Sequence, residues 1–389
     1  MRGAFAASLG AVLLASATAG YAQEANKTIV VTARSLKETA ADLAACLARK
    51  CPPDQDVKAS LAHAENQFVQ GDYKAARSTL LKSVGRNNDA AKQYPVPVSD
   101  LQRAKARIAA NLGEGDSHRL STLESRDALK AGLSADDPRI LASSIEVGEM
   151  RARLGYSDEA QRIFKDIAKD AEAKGLGRIQ WAAQMRQAYL LANSSSLDDN
   201  KQGRELLSKL AATQGDQAAG LRLSAKVMLA REERKGSGEE AIKALIQEYA
   251  KSGATQRPTI LYAPSIKLSS MKKRPTLGLT LSQMATDNFD KQWIDVGFWI
   301  TPDGKIQDAE VLRKSGNEAS WAAAVLKSIN DRIYAPLKRE PGDPGVYAVE
   351  RYTFTSLMED RTGTRVNQRS AKGRIERIDL TPEEVLAGG

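Results

Sequence analysis

The sequence predicts two unlike parts in tandem: an N-terminal α-helical hairpin repeat domain, solenoid-like, followed by a small α+β unit of order β-β-α-β. Three observations carry this. Between residues 56 and 252, apolar residues recur at helical spacing and strand-type runs are nearly absent. Within that stretch Gly71, Gly113 and Gly155 are evenly spaced, since 113 − 71 = 42 and 155 − 113 = 42. After residue 252 the helical period stops, and an alternating aromatic and β-branched run begins at Trp293.

The bulk composition agrees. A chain of 389 residues suggests two or three domains. Hydrophobic residues at 42% and charged residues at 27% are ordinary for a globular protein, while aromatics at 5% favour helices packed through small residues over a β-sandwich. Lys+Arg minus Asp+Glu is 57 − 48, a net charge of +9. The charges are mixed along the chain with no dense basic block, so nucleic-acid binding is not indicated.

In chain order, residues 1–22 read as a signal peptide. Arg2 opens a small-residue, weakly apolar run centred on Leu9 to Ala15, and Gly20-Tyr21-Ala22 precedes the polar Gln23-Glu24. The expected location is the periplasm, with an inner-membrane protein held by an uncleaved anchor as the alternative. Residues 23–55 form an N-terminal segment carrying Cys46 and Cys51. In an oxidising compartment this C-x4-C pair favours a local disulfide over thiol chemistry. The bridge requires a helix ending near Arg49–Lys50, and Pro52-Pro53 supplies the stop.

Residues 56–252 carry the repeats. Ala160, Ile163, Phe164, Ile167 and Ala168 share one helical face. At Gly71-Asp72-Tyr73-Lys74-Ala75-Ala76 and Gly155-Tyr156-Ser157-Asp158-Glu159-Ala160 a turn glycine is followed by an acidic group at a helix start and an early Ala. These motifs resemble tetratricopeptide repeats, although the 42-residue spacing exceeds that family's usual ~34. The resemblance implies stacked hairpins with a concave surface for a partner segment.

Residues 253–285 read as a linker and domain entry, with breaks at Pro258 and Pro264. Residues 286–358 form the α+β unit. Trp293 to Thr301 reads as a strand, Pro302-Asp303-Gly304-Lys305 as a turn, Ile306 to Leu312 as the returning strand, Ser320 to Ile333 as a helix and Val346 to Thr355 as the last strand. The ordered set Ile294 to Ile306, Val311 to Gly316, Trp321 to Ile333 and Arg332-Ile333-Tyr334-Ala335-Pro336 resembles the C-terminal domain of TonB-family energy transducers. That resemblance implies a non-enzymatic periplasmic contact module that takes a partner strand beside its last strand, as with an outer-membrane receptor. The implied edge is Val346 to Phe354, with Tyr347, Val349, Arg351 and Thr353 on one face. A membrane-anchored transducer of transport energy is the alternative, but only 13 Pro and helical hairpins stand where that family has a Pro-rich spacer. Residues 359–389 read as a basic flexible tail.

No catalytic, cofactor or metal residues are expected. The sequence lacks G-x-x-x-x-G-K-[ST], H-E-x-x-H and G-x-S-x-G motifs. Its two histidines, His63 and His118, stand apart and read as ordinary surface or core residues. Ser269-Ser270-Met271-Lys272 matches S-x-x-K without its companion motifs, and Asp136-Asp137 and Asp198-Asp199 read as helix-capping turns.

Overall fold

The computed structural model describes residues 34–215, 218–233, 239–251, 257–266, 292–315, 321–360 and 367–382. The signal stretch 1–22 and the S-x-x-K at 269–272 lie outside them.

Eleven α-helices occupy the N-terminal part among the described residues: α1 (Leu36–Ala48), α2 (Pro53–Val69), α3 (Tyr73–Asn87), α4 (Pro95–Leu112), α5 (Gly115–Gly132), α6 (Pro138–Arg153), α7 (Ser157–Ala173), α8 (Gly177–Ala192), α9 (Leu197–Ala211), α10 (Ala219–Glu233) and α11 (Glu239–Lys251). Local chemistry sets their starts. Ser35 and Glu38 form a capping box on α1, Asp72 caps α3, Asp137 caps α6, and Ser196 caps α9. Proline opens α2, α4 and α6, where its missing N–H costs nothing. Of the two acidic pairs read as caps, only Asp137 serves as one; Asp198 and Asp199 sit in the first turn of α9 behind Ser196. Cys46 and Cys51 are disulfide-bonded with Cα atoms 5.2 Å apart, across a helix end at Arg49 followed by Lys50 at φ 52°.

The helices pack as hairpins α2/α3, α4/α5, α6/α7, α8/α9 and α10/α11, and first helices also stack on one another, as α2 on α4, α6 on α8 and α8 on α10. The 42-residue spacing is thus one hairpin. Gly71, Gly113 and Gly155 each join the two helices of a hairpin at positive φ (84°, 73° and 90°). Small residues let the helices approach closely. A Cβ on Gly148 would meet the Phe164 ring at 2.5 Å, and one on Gly203 would meet the Ala192 nitrogen at 2.3 Å. The repeat begins earlier than residue 56, because α2 starts at Pro53 and α1 lies within the stretch read as an N-terminal segment.

The C-terminal part contains β1 (Ile260–Tyr262), β2 (Trp293–Ile300), β3 (Ile306–Lys314), α12 (Ala322–Asn330), β4 (Ile333–Tyr334), β5 (Val346–Asp360) and β6 (Asn367–Asp379). The expected β-β-α-β order is present, with β1, inside the stretch read as linker, pairing antiparallel to β4, where the chain read as helix up to Ile333 has already turned extended. The β2–β3 connection turns at Gly304, φ 81°. The main sheet is antiparallel in the order β3-β2-β5-β6. Ile294, Val296, Phe298 and Ile300 on one face of β2 pack with Trp321, Val325 and Ile329 from the α12 region. Arg332 lies in that core, donating to the Glu350 carboxylate at 2.9 Å and to the Tyr352 hydroxyl. Burial alone would raise the Glu350 carboxyl, but Arg377 and Arg332 outweigh it and hold it below its ordinary range.

Two expectations fail. Within the stretch 359–389 read as a flexible tail, residues 367–379 form β6, and Leu380 and Thr381 beyond it are buried. In consequence β5 is not an edge. Its pairing with β6 runs from Glu350↔Asp379 to Asp360↔Asn367, while its other side pairs with β2 from Trp293↔Thr353 to Ile300↔Val346. Arg351 and Thr353 therefore sit in mid-sheet, and Val349 is bonded to Leu380 and Thr381. Tyr347 packs on Trp299, ring centroids 5.2 Å apart. The chain's own C-terminal segment thus occupies the β5 rim from Val349 onward, including Arg351 and Thr353, while its pairing does not reach Tyr347.

Candidate functional site

Part of the sheet face opposite α12 meets the helical repeat. Trp293 and Asp295 of β2, Arg351 and Thr353 of β5, and Ile378 of β6 lie on it. Trp293 and Ile378 pack with Phe68, Tyr73 and Leu80 of the first hairpin. Arg351 is fully buried and organises this junction. Its guanidinium donates to both Asp295 oxygens (2.7 and 2.9 Å), to the Val69 carbonyl at 2.7 Å and to the Phe68 carbonyl, and it stacks 4.0 Å from the Trp293 ring centroid. Those carbonyls end α2, where a cation also meets the negative end of the helix dipole. Arg374 of β6 donates to the Ala110 carbonyl at 3.3 Å. Ala110 is the equivalent of Phe68 one repeat later, since 110 − 68 = 42. Consecutive strands thus send an arginine to the same carbonyl of consecutive hairpins.

The turn glycines give the sheet room to dock. A Cβ on Gly71 would strike Trp293 at 2.3 Å, and one on Gly113 would strike the Ser356 carbonyl oxygen at 2.0 Å. At Gly155 nothing lies within 4 Å, so the sheet covers the first two hairpin turns and leaves the third open.

This docking builds one wall of a groove of about 880 Å³. The other walls come largely from the first helix of each hairpin: Ala64, Glu65 and Phe68 of α2, Arg103, Arg107 and Asn111 of α4, Ala142, Ile145 and Glu149 of α6, Ala182, Met185 and Tyr189 of α8, and Met228 and Arg231 of α10. His118 of α5 and Glu376, Arg377 and Ile378 of β6 complete it. Arg153 at the end of α6 pairs with Glu376 at 2.7 Å, tying β6 to the third hairpin.

The groove combines an apolar floor with an uneven set of charges. Glu146 is held by Arg103 at 2.9 Å, Glu149 by Arg186 at 2.7 Å and Glu376 by Arg153. Burial pushes the remaining carboxyl, Glu65, up to about 7, against the pull of Arg107. Burial likewise lowers the Arg107 guanidinium and lowers His118 to about 4, with Arg153 acting on His118 in the same direction. The His118 Nδ1 faces the Ala106 carbonyl at 3.1 Å.

Of the residues singled out in the sequence, His63 bridges α1 and α2 through Thr39 and Gln67 and lies outside the groove's lining. His118 does line the groove, and the other groove residues carried no sequence signal of their own. Among the described residues no group of three or more His, Cys, Asp or Glu side chains is placed to hold a metal ion, and no helix is long and apolar enough to cross a membrane.

No protein-family profile matches the chain, and no curated protein matches it. Among solved structures, the TPR-like repeats of a kinesin light chain from Podosopora anserina are similar at 19% identity and a TM-score of 0.41, covering 52% of this chain and 98% of that one. A substituted form of those same repeats is similar at the same identity and TM-score, covering 51% of this chain and 97% of that one.

Proposed function

We propose that the chain is a non-enzymatic protein-binding protein of the periplasm that takes a segment of a partner polypeptide into the groove between the helical repeat and β6. The observation that carries this is the groove itself: helices of five successive hairpins expose apolar and polar side chains to one continuous trough. Stacked hairpins recognise extended segments through such concave surfaces. Periplasmic residence is supported by the signal-like residues 1–22 and by the cysteine pair at 46 and 51. A TonB-like role for the C-terminal unit is supported by its β-β-α-β order and the residues quoted for the resemblance. Because β6 pairs with β5 from Glu350 onward, our reading assigns the partner contact to the groove and not to that edge.

The test is selection from a random-peptide display library against the purified protein, with Ala142→Trp as the blocking variant. Ala142 is exposed on the groove wall, so the larger ring fills the trough without entering the core. Peptides that bind the native protein and lose affinity for Ala142→Trp support the proposed function. Recovery only of peptides indifferent to that substitution refutes it. N-terminal sequencing of the exported protein tests the location, with a start near Gln23 expected.

A further inference from the structure

The groove contains polar groups that the protein leaves unmatched in one place. Asn111 is only 7% exposed, and its Nδ2 donates to the Arg107 carbonyl at 2.9 Å, yet its Oδ1 has no partner among the described residues. His118 Nε2 is also buried without a partner. With Nδ1 donating to the Ala106 carbonyl, Nε2 of the neutral ring is a bare acceptor. The Arg107 guanidinium, one turn from Asn111 on α4, forms no hydrogen bond or ion pair with a described residue. Three of the four groove glutamates are already bound by other arginines, as set out above. The fourth, Glu65, faces Arg107.

Two buried acceptors and one unpaired cation define a complement. A ligand that satisfies them must supply N–H donors and a negative charge together. Extended polypeptide backbone provides the donors, and an acidic side chain provides the charge. A leftover acceptor buried away from water costs free energy, and a partner that fills it recovers that cost. A basic segment would set its cations against Arg107 and Arg153.

Resting on the protein-binding role proposed above, we infer that the groove selects an acidic segment of its partner, seating a side-chain carboxylate on Arg107 and backbone N–H groups on Asn111 and His118. Glu146, Glu65 and Asp100 all act on Arg107 from within the protein, with Arg103 opposing; Arg103 already holds Glu146 and Asp100, which leaves Glu65 as the competitor tested below. When ionised it occupies part of the field that the incoming carboxylate needs.

The experiment uses the full chain and peptides selected from the display library, made with amidated C-termini so that only side-chain carboxylates remain. Each is labelled with fluorescein and measured by fluorescence polarisation beside its counterpart with Glu and Asp changed to Gln and Asn. The acidic form is expected to bind about ten- to hundredfold more tightly than the amide form, the range of a hydrogen bond to a charged group. Arg107→Gln should erase that preference, and Glu65→Gln should tighten binding of the acidic form at about pH 8 by about fivefold. A folding defect cannot mimic that gain. Equal binding of acidic and amide forms, or an Arg107→Gln protein that keeps the preference, overturns the inference while groove-dependent binding leaves the proposed function standing. Binding that needs a free C-terminal carboxylate also overturns it. Failure to recover any peptide sensitive to Ala142→Trp overturns both.

Discussion

Replacing Arg351 with Met is expected to weaken the junction between the two parts more than any exposed substitution could. The side chain is fully buried, and its loss removes a two-pronged ion pair to Asp295, two donations to the end of α2 and a stacked contact with Trp293. Breaking a buried pair from one side costs about 3–5 kcal/mol, because the other charge stays behind. Here Asp295 keeps Arg313 at 2.6 Å, which places the cost toward the lower end, near 3 kcal/mol. The assay is urea unfolding followed by far-ultraviolet circular dichroism, which reads the helices, and by tryptophan fluorescence, which includes Trp293 at the junction. The variant should lose about 3 kcal/mol, and its fluorescence transition should move to lower urea than its helical transition. The double variant Asp295→Asn/Arg351→Met should be milder than the sum of its singles by more than about 1 kcal/mol. A loss under about 1 kcal/mol, with the two transitions still coincident, would show that the guanidinium does not hold the sheet to the repeat.

Four further outcomes follow from the same geometry. Alanine at Gly155 should cost about 1–2 kcal/mol through its positive φ alone, whereas alanine at Gly71 or Gly113 adds a collision with Trp293 or the Ser356 carbonyl and should cost clearly more by thermal melting. Above pH 7, Glu65→Gln should stabilise the chain by about 1–3 kcal/mol, because a carboxyl raised in the fold to about 7 contributes stability that is full below its ordinary 4.5 and lost as pH rises through 7. His118, lowered to about 4, has the opposite sign: its stability is present above 6.5 and lost as pH falls toward 4, so His118→Gln should flatten that acid limb in pH-dependent denaturation. Truncation after Asp360 should expose the long β5 edge and produce concentration-dependent association by light scattering, a result absent if β6 only decorates the sheet.

The parts legible in the sequence are those whose burial is one-sided. In the repeats one face of each helix meets its neighbours, so Ala160, Phe164 and Ile167 announce the period, and the turn glycines announce its length. The β2–β3 hairpin showed itself through alternation and through Gly304. The strand β6 stayed hidden because its partners are charged. Arg374 meets the end of α4, Glu376 meets Arg153, and Arg377 reaches Glu350, so alternation between two polar faces imitates a solvated tail. Arg351 gave no such signal either: alternation leaves open which face of the strand is buried, and here the end of α2 and Asp295 satisfy the arginine in the interior. The groove had no sequence signature because Glu65 and Arg107 lie next to the apolar positions Ala64 and Ile108, where a helical wheel places the border of the buried stripe. Only the stacking of first helices turns that border into a shared trough.

The same contacts that hide β6 in the sequence couple the groove to the sheet. A solenoid of hairpins contacts only neighbours and can flex along its length. In this chain the sheet bridges hairpins that are successive but separately folded: Trp293 and Arg351 hold the first, Ser356 and Arg374 the second, and Glu376 the third. Because β5 and β6 are hydrogen-bonded along their length, these anchor points cannot move apart without breaking the ladder. The groove wall formed by Glu376 and Ile378 is therefore set at a fixed distance from α2 and α4, and the unmatched acceptors of Asn111 and His118 are held in place before any ligand arrives. A site organised in advance loses less ordering entropy on binding than a flexible one. On the proposed function, this advance organisation is what the buried Arg351 junction contributes to the groove, even though Arg351 itself does not line it.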